Sequence, residues 1–296
     1  MRKVPYRLLC TATAAPNDYI ELGTSSEALG KMRRVEMLGM FFTHDGDNTQ
    51  QWRIKGHARH NFWRWVCSWA RAIRSPRDMG FDDCDFVLPP LRMNEHVVSS
   101  HKPLDGFLFD MPAATLDEQR QERRKTLHER CGLAGKLVNA NPGPSVCWCY
   151  LNSEGDLLER EIDGAIQLSG SDTDERKEEV LEAFSSGEIK KLVTKPSIAG
   201  FGMNWQHCAH QTFFPSHSFE QWYQASRRSW RFGQKQTVTI DIITSEGERG
   251  VMENVKRKMD QAAELFQKLV ELMHDELVLT QKREANVTKE EIPSWL

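Results

Sequence analysis

Arg228 and Arg231 lie three residues apart in QASRRSWRFGQ, residues 224–234, between Gln224 on one side and Gly233 and Gln234 on the other. On a helix that spacing puts both guanidinium groups on one face. A planar guanidinium holds two oxygens at once and keeps its charge in any protein environment, so two of them aimed at one point suit a polyphosphate. Taken alone the pair reads as two solvated surface cations. Two further segments add anion chemistry. KLVTKPSIAGFGMNWQ, residues 191–206, carries Thr194, Lys195, Gly200, Gly202 and Asn204, and glycines let backbone N–H groups come close to phosphate. IQLSGSDTDERKEEVLEAF, residues 166–184, sets Gly170 and Ser171 between a strand and the start of a helix, where free amides and the helix dipole favour an anion.

The elements that must position these residues alternate from residue 145 onward. Apolar runs predict strands over 146–151, 166–168, 190–194, 212–214 and 237–243, and helical periodicity predicts helices over 154–162 and 174–185. Another helix falls between the last two strands. This is the βαβ rhythm of a parallel sheet covered on both faces, a fold that binds ligands at the C-terminal ends of its strands. Residues 246–277 read as a closing helix. Upstream, residues 4–10 read as a short buried strand ending in Thr11, Ala12 and Thr13, 21–42 as partly helical, and 44–49 as a loop. Over 57–74, Phe62, Trp63, Val66, Trp69, Ala70 and Ile73 recur at helical spacing, which predicts a core-facing stripe. The arginines of this segment, part of a run from Arg53 to Arg77 without an acid, are left for phosphate. Pro, Gly and Asp over 75–90 mark a domain boundary, and 116–130 reads as a charged, solvated helix.

Composition bounds the rest. The 296 residues are 39% hydrophobic and 27% charged with a net charge of -3, an ordinary globular balance that names no partner by itself. Seven scattered cysteines make no disulfide framework, which favours a reducing compartment, and His207, Cys208 and His210 lack a second ligand pair at zinc spacing. No apolar stretch reaches the length of a membrane span. The N-terminus has a basic start but its apolar part is broken by Thr11 and Thr13, so no export leader is expected and the location predicted is the cytoplasm of a bacterial or phage-infected cell.

QASRRSWRFGQ resembles the last motif of Swi/Snf-type helicases of superfamily two: a glutamine, two arginines three apart and a closing Gly-Gln. Other segments resemble that family in the same order: CTATAAPNDYIEL near the start, FVLPPLRMNEHVV at 86–98, SVCWCYLNSEGDLLE, the Gly170-Ser171 turn, and 191–206, with two extra residues between Thr194 and Gly200. The wording is closest to phage and prophage members. The resemblance implies an α/β fold: a RecA-like second helicase lobe at 145–245, preceded by the tail end of a first RecA-like lobe within 1–85, a connector over 86–144 and a C-terminal helix and tail over 246–296. It implies that Arg228 and Arg231 act as arginine fingers, and that Gly200, Gly202, Asn204, Gln224 and Gln234 couple to nucleotide. Gly170, Ser171, Thr194 and Lys195 would contact DNA, and Thr11, Ala12 and Thr13 would belong to the coupling motif of the first lobe. ATP and Mg2+ are the implied cofactors, and DNA the implied partner. A P-loop, G-x-x-x-x-G-K-[ST], and the Asp-Glu pair that holds magnesium are absent from the sequence. The expectation is therefore that an upstream-encoded P-loop lobe supplies them, and that this chain alone is inactive. The alternative is a DNA-binding scaffold that keeps a motor lobe without catalysis.

Overall fold

Phe62, Trp63, Val66 and Cys67 lie at one-, three- and four-residue spacings along one short helix and are buried to 2% exposure or less. Around them forms the first of two compact units in a computed structural model that describes residue 4 and residues 6–45, 48–99, 116–200 and 202–284. This unit draws on Met1–Asp85 and, from the other end of the chain, Asp260–Leu296. Its elements are α1 (Leu22–Ala28), α2 (Arg34–Phe41), the antiparallel hairpin β1 (Phe42–Asp45) and β2 (Asn48–Ile54), and α3 (Arg59–Cys67). Met37, Phe41, Phe42, Leu265 and Leu269 complete the core.

Three expectations for this unit are corrected. Residue 4 and residues 6–10 form no strand; Tyr6 is 90% and Leu8 85% exposed. A strand requires a neighbour for its backbone groups, and none is present among the described residues. The expected loop at 44–49 falls within the β1–β2 hairpin. The helix expected to run to 74 stops at Cys67, where Ser68 bonds back through Oγ to the Trp65 carbonyl at 2.7 Å and Arg71 caps the Cys67 carbonyl, leaving Ile73 exposed.

The second unit, Phe86–Met259, holds the parallel sheet. Its strands are β3 (Leu91–Val98), β4 (Ser145–Trp148), β5 (Ala165–Leu168), β6 (Lys191–Thr194), β7 (His210–Phe213) and β8 (Val238–Ser245), in the order β3-β8-β7-β4-β6-β5 with every pairing parallel. The helices are α4 (Leu116–Lys125), α5 (Leu127–Ala140), α6 (Asn152–Glu161), α7 (Asp174–Ser186), α8 (Pro196–Ala199), α9 (Phe219–Ser226) and α10 (Arg249–Glu284), the last continuing into the first unit. β4 and β6 are buried along their whole length, as strands covered on both faces must be. Cys147, Cys149 and Val193 pack with Cys131, Ala134, Val138, Leu158 and Ile162 of α5, α6 and its C-cap. Trp148 instead stacks on Trp205, which meets Phe184 of α7 edge-on. The layout is the RecA-like α/β arrangement expected. The connector contributes β3, which pairs with β8 over all eight residues and makes the sheet one strand wider than the strand pattern predicts. No described helix is long and apolar enough to cross a membrane.

In the second unit a correction concerns the charged helix at 116–130. Glu122, Arg123, Thr126 and Arg130 are buried at 0–6% exposure rather than solvated. Arg130 recurs with Leu127, Ala134 and Val138 on the inward stripe, so helical geometry carries its charge into the interior. There Arg130 pairs with Glu154 at 2.7 Å, and Arg123 with Glu248 at 2.5 Å. Glu154 also accepts the amides of Tyr150 and Leu151 at 2.8 Å each, closing the start of α6.

Candidate functional site

α9 begins with Ser218 as N-cap, its hydroxyl accepting the Gln221 amide, and buries Phe219, Trp222 and Ala225. It ends at Ser226, so Arg228 and Arg231 stand in the turn beyond it rather than on the helix face expected. The turn forms because amides of 228–231 reach carbonyls two to four residues back, and because Gly233 takes φ +90°, the left-handed region open to glycine.

The turn still brings both guanidinium groups to one atom. Arg228 Nη1 donates to the Met203 carbonyl at 3.0 Å and Arg231 Nη1 to the same oxygen at 3.1 Å. Arg228 is 7% exposed and also donates to the Gln224 carbonyl at 2.9 Å and to Gln224 Oε1 at 3.2 Å. Arg231 Nε is buried without a hydrogen-bond partner among the described residues. Neither guanidinium has a carboxylate partner among those residues. Burial, and then the like charge of Arg231, lowers the pKa of Arg228 below the usual arginine value. Two close guanidinium groups sharing one neutral acceptor have the charge and the donors to take an anion.

The loop that offers the Met203 carbonyl contains Gly200, Gly202 and Asn204. A Cβ on Gly200 would lie 2.2 Å from the Pro196 carbonyl oxygen, so only glycine fits there; Gly202 has φ +80° and open space. Asn204 is exposed. The same loop grips the arginine turn through Trp205 N to Arg228 O at 2.8 Å and Gln206 Nε2 to Phe232 O at 3.2 Å. Gln234, 7% exposed, accepts the amides of Lys235 and Gln236 and donates to the Ser229 carbonyl, so its amide shapes the turn from inside. Met203, Trp205 and Gln206 were not singled out as site residues by sequence; a backbone acceptor leaves no mark on residue type.

The other expected residues lie elsewhere. The arginine turn leads into β8 and is tied to residues just before β3 and β7, by Trp230 Nε1 to Pro89 O at 2.7 Å and Gln234 Nε2 to Cys208 O at 3.5 Å. It therefore occupies the N-terminal edge of the sheet, opposite to the edge expected to bind ligands. Gly170 and Ser171 follow β5, Thr194 ends β6 and Lys195 follows it, at the C-terminal edge. Thr194 is buried and donates to the Leu168 carbonyl at 3.1 Å, whereas Lys195 Nζ reaches Asn152 Oδ1 at 2.5 Å. In the exposed 170–171 turn, Asp172 Oδ2 accepts the Ser169 amide at 2.7 Å, and Asp174 and Glu175 open α7, so carboxylates surround the helix start that was expected to take phosphate. Thr11, Ala12 and Thr13 belong to the first unit. Thr13 is buried and its amide donates to Thr11 Oγ1 at 3.0 Å; Ala12 is exposed. Of the basic run, Arg59, Arg74 and Arg77 pair with Glu264, Asp78 and Asp83, and Arg64 is exposed.

One further cluster has the residue types of a nucleophilic triad. Ser145 Oγ meets His210 Nδ1 at 2.9 Å, and His210 Nε2 meets Asp241 Oδ2 at 2.9 Å, while His96 and Asn94 also donate to Asp241. Ser145 is fully buried and accepts from Asn141 Nδ2 at 2.8 Å, so no substrate reaches it. Its role is to join β3, β4, β7 and β8 through polar bonds. Among the described residues no three His, Cys, Asp or Glu side chains gather as a metal site.

No protein-family model matches the chain, and no curated protein matches it. Among solved structures it is similar to the C-terminal part of the Fun30 ATPase domain, at 18% identity over 52% of this chain, with a TM-score of 0.39. The chain thus spans about half of that structure, 55% of its length.

Proposed function

We propose that this chain supplies the arginine half of an ATPase site to a nucleotide gripped by a P-loop lobe lying outside these 296 residues, in a DNA translocase of the Swi/Snf type. The supporting observation is the convergence of Arg228 and Arg231 on the Met203 carbonyl with no carboxylate partner among the described residues. A transferring phosphoryl group spreads negative charge over its oxygens, and two preset guanidinium forks stabilise that charge without reorganising. Because the Gly200–Gln206 loop holds both arginines by its backbone, a shift of that loop on DNA would move the pair toward or away from the nucleotide. Magnesium would be held by the P-loop lobe. The resemblance carries DNA as the partner, with Gly170, Ser171, Thr194 and Lys195 as contacts, although the carboxylates around the 170–171 turn favour Lys195 among them.

The test is steady-state ATP turnover, with and without DNA, in a protein or complex that joins this chain to a P-loop lobe. Arg231→Ala lowers DNA-stimulated turnover by roughly 10³-fold or more, and Arg231→Lys rescues it poorly because a point charge lacks the planar fork. Near-normal turnover in the alanine variant removes the arginine reading and leaves the scaffold alternative.

A further inference from the structure

Beside the arginine pair lies a surface feature that phosphate chemistry does not use. Phe86 and Phe232 stack with ring centroids 4.9 Å apart and planes 24° apart, and they remain 53% and 56% exposed. Exposed singly, large apolar side chains need no explanation; two stacked rings held open to solvent form a flat apolar platform. The platform is fixed. Gln206 Nε2 holds the Phe232 carbonyl at 3.2 Å, and the bond from Trp230 Nε1 to Pro89 O at 2.7 Å ties the turn to the segment that carries Phe86. Phe232 directly follows Arg231, with Cα atoms about 3.8 Å apart across one peptide. The turn therefore carries two cations without a carboxylate partner among the described residues and, together with Phe86, a planar apolar surface.

We infer that the Phe86–Phe232 platform receives the base of the nucleotide whose phosphates meet Arg228 and Arg231. The inference rests on the arginine reading and adds to it a base-stacking subsite on this chain. A ligand that joins a flat aromatic ring to a polyanion through a short linker matches the charge and surface of the turn together; inorganic phosphate matches only half of it. Stacking on phenylalanine tolerates any base, because every base has a π-face. The platform gives affinity for nucleotides as a class and leaves the choice among bases to other groups.

The experiment uses the full chain with ATP and, separately, sodium tripolyphosphate, at millimolar ligand and low salt. Calorimetry measures affinity and saturation-transfer NMR reads the adenine protons. ATP binds about tenfold more tightly than tripolyphosphate, in line with one stacked base, and its adenine protons take up saturation. Phe232→Ala and Phe86→Ala each erase that gap, and the exposure of both rings keeps the variants folded. Arg231→Ala weakens both ligands. Equal binding of ATP and tripolyphosphate, or a gap that survives both phenylalanine variants, overturns the base subsite and leaves the arginine reading standing. Tripolyphosphate binding that is absent, or unchanged by Arg231→Ala, removes the platform's assignment, while the turnover of Arg231→Ala with a P-loop lobe decides the arginine reading separately. A short single-stranded oligonucleotide that binds the platform more tightly than ATP reassigns it to nucleic acid.

Discussion

Arg228 and Arg231 share an acceptor but differ in what else they hold. Arg228 makes three hydrogen bonds, to Met203 O, Gln224 O and Gln224 Oε1, and is almost wholly buried, so it fastens the end of α9 to the Met203 loop. Arg231 makes one such bond and keeps a buried Nε free of partners among the described residues. Arg228→Ala therefore lowers folding stability by about 1–3 kcal/mol, since it leaves three part-buried acceptors without their donor, while Arg231→Ala costs about 1 kcal/mol or less. Urea unfolding of the two variants measures the difference. If Arg228→Ala unfolds at the wild-type midpoint, its bonds to Gln224 and Met203 are not formed in solution. The distinction makes Arg231 the cleaner probe of chemistry. The pair itself was legible in RRSWR from residue type and spacing. Their convergence was not, because the shared acceptor is a main-chain oxygen 25 and 28 residues away.

Among elements, α5 shows where sequence patterning misleads. The charges over 116–130, where it begins, read as a solvated face, yet the four-residue spacing that buries Ala134 and Val138 buries Arg130 with them. The buried guanidinium is satisfied by Glu154, Thr126 Oγ1 and the Arg123 carbonyl, and it lies over the Phe214 ring at 4.9 Å. Arg130→Leu leaves Glu154 charged and unpaired in the interior and lowers stability by about 3–5 kcal/mol. The double variant Arg130→Leu with Glu154→Leu loses less than the sum of the two single changes. A double-mutant cycle by chemical denaturation reads this coupling, and additive losses would mean that the two side chains act independently. The central strands were legible because their residues are apolar on both faces. β3 was not, since LRMNEHVV mixes polar and apolar residues on both faces, with Asn94 and His96 half-buried and Met93 and Val97 exposed, and its pairing with β8 spans more than 140 residues of sequence. The N-terminal segment was misread for the converse reason: its residues suit a strand, but strand formation depends on a partner that composition does not reveal.

At the scale of the molecule, stability has an acid limb set by Asp241. Burial alone would raise its carboxyl pKa, but hydrogen bonds from His210, His96 and Asn94 outweigh burial and hold the group well below the usual carboxylate range. A carboxyl with a depressed folded pKa contributes full stability above its unfolded value, about 3.9, and loses that contribution as pH falls from there toward the folded value. The urea midpoint therefore drops as pH is lowered below about 4, and Asp241→Asn removes part of that dependence. A midpoint unchanged between neutral pH and pH 3 would contradict the depressed carboxyl. The first unit has a consequence of another kind. Phe62, Trp63 and Cys67 complete their core with Leu265 and Leu269, close to two hundred residues later. On a ribosome adding roughly 5–20 residues per second, that apolar surface emerges early and waits on the order of ten seconds or more for its other half. During that interval the parallel sheet finishes first, although it comes later in the chain, and the exposed tryptophan-rich helix is a natural client for a chaperone.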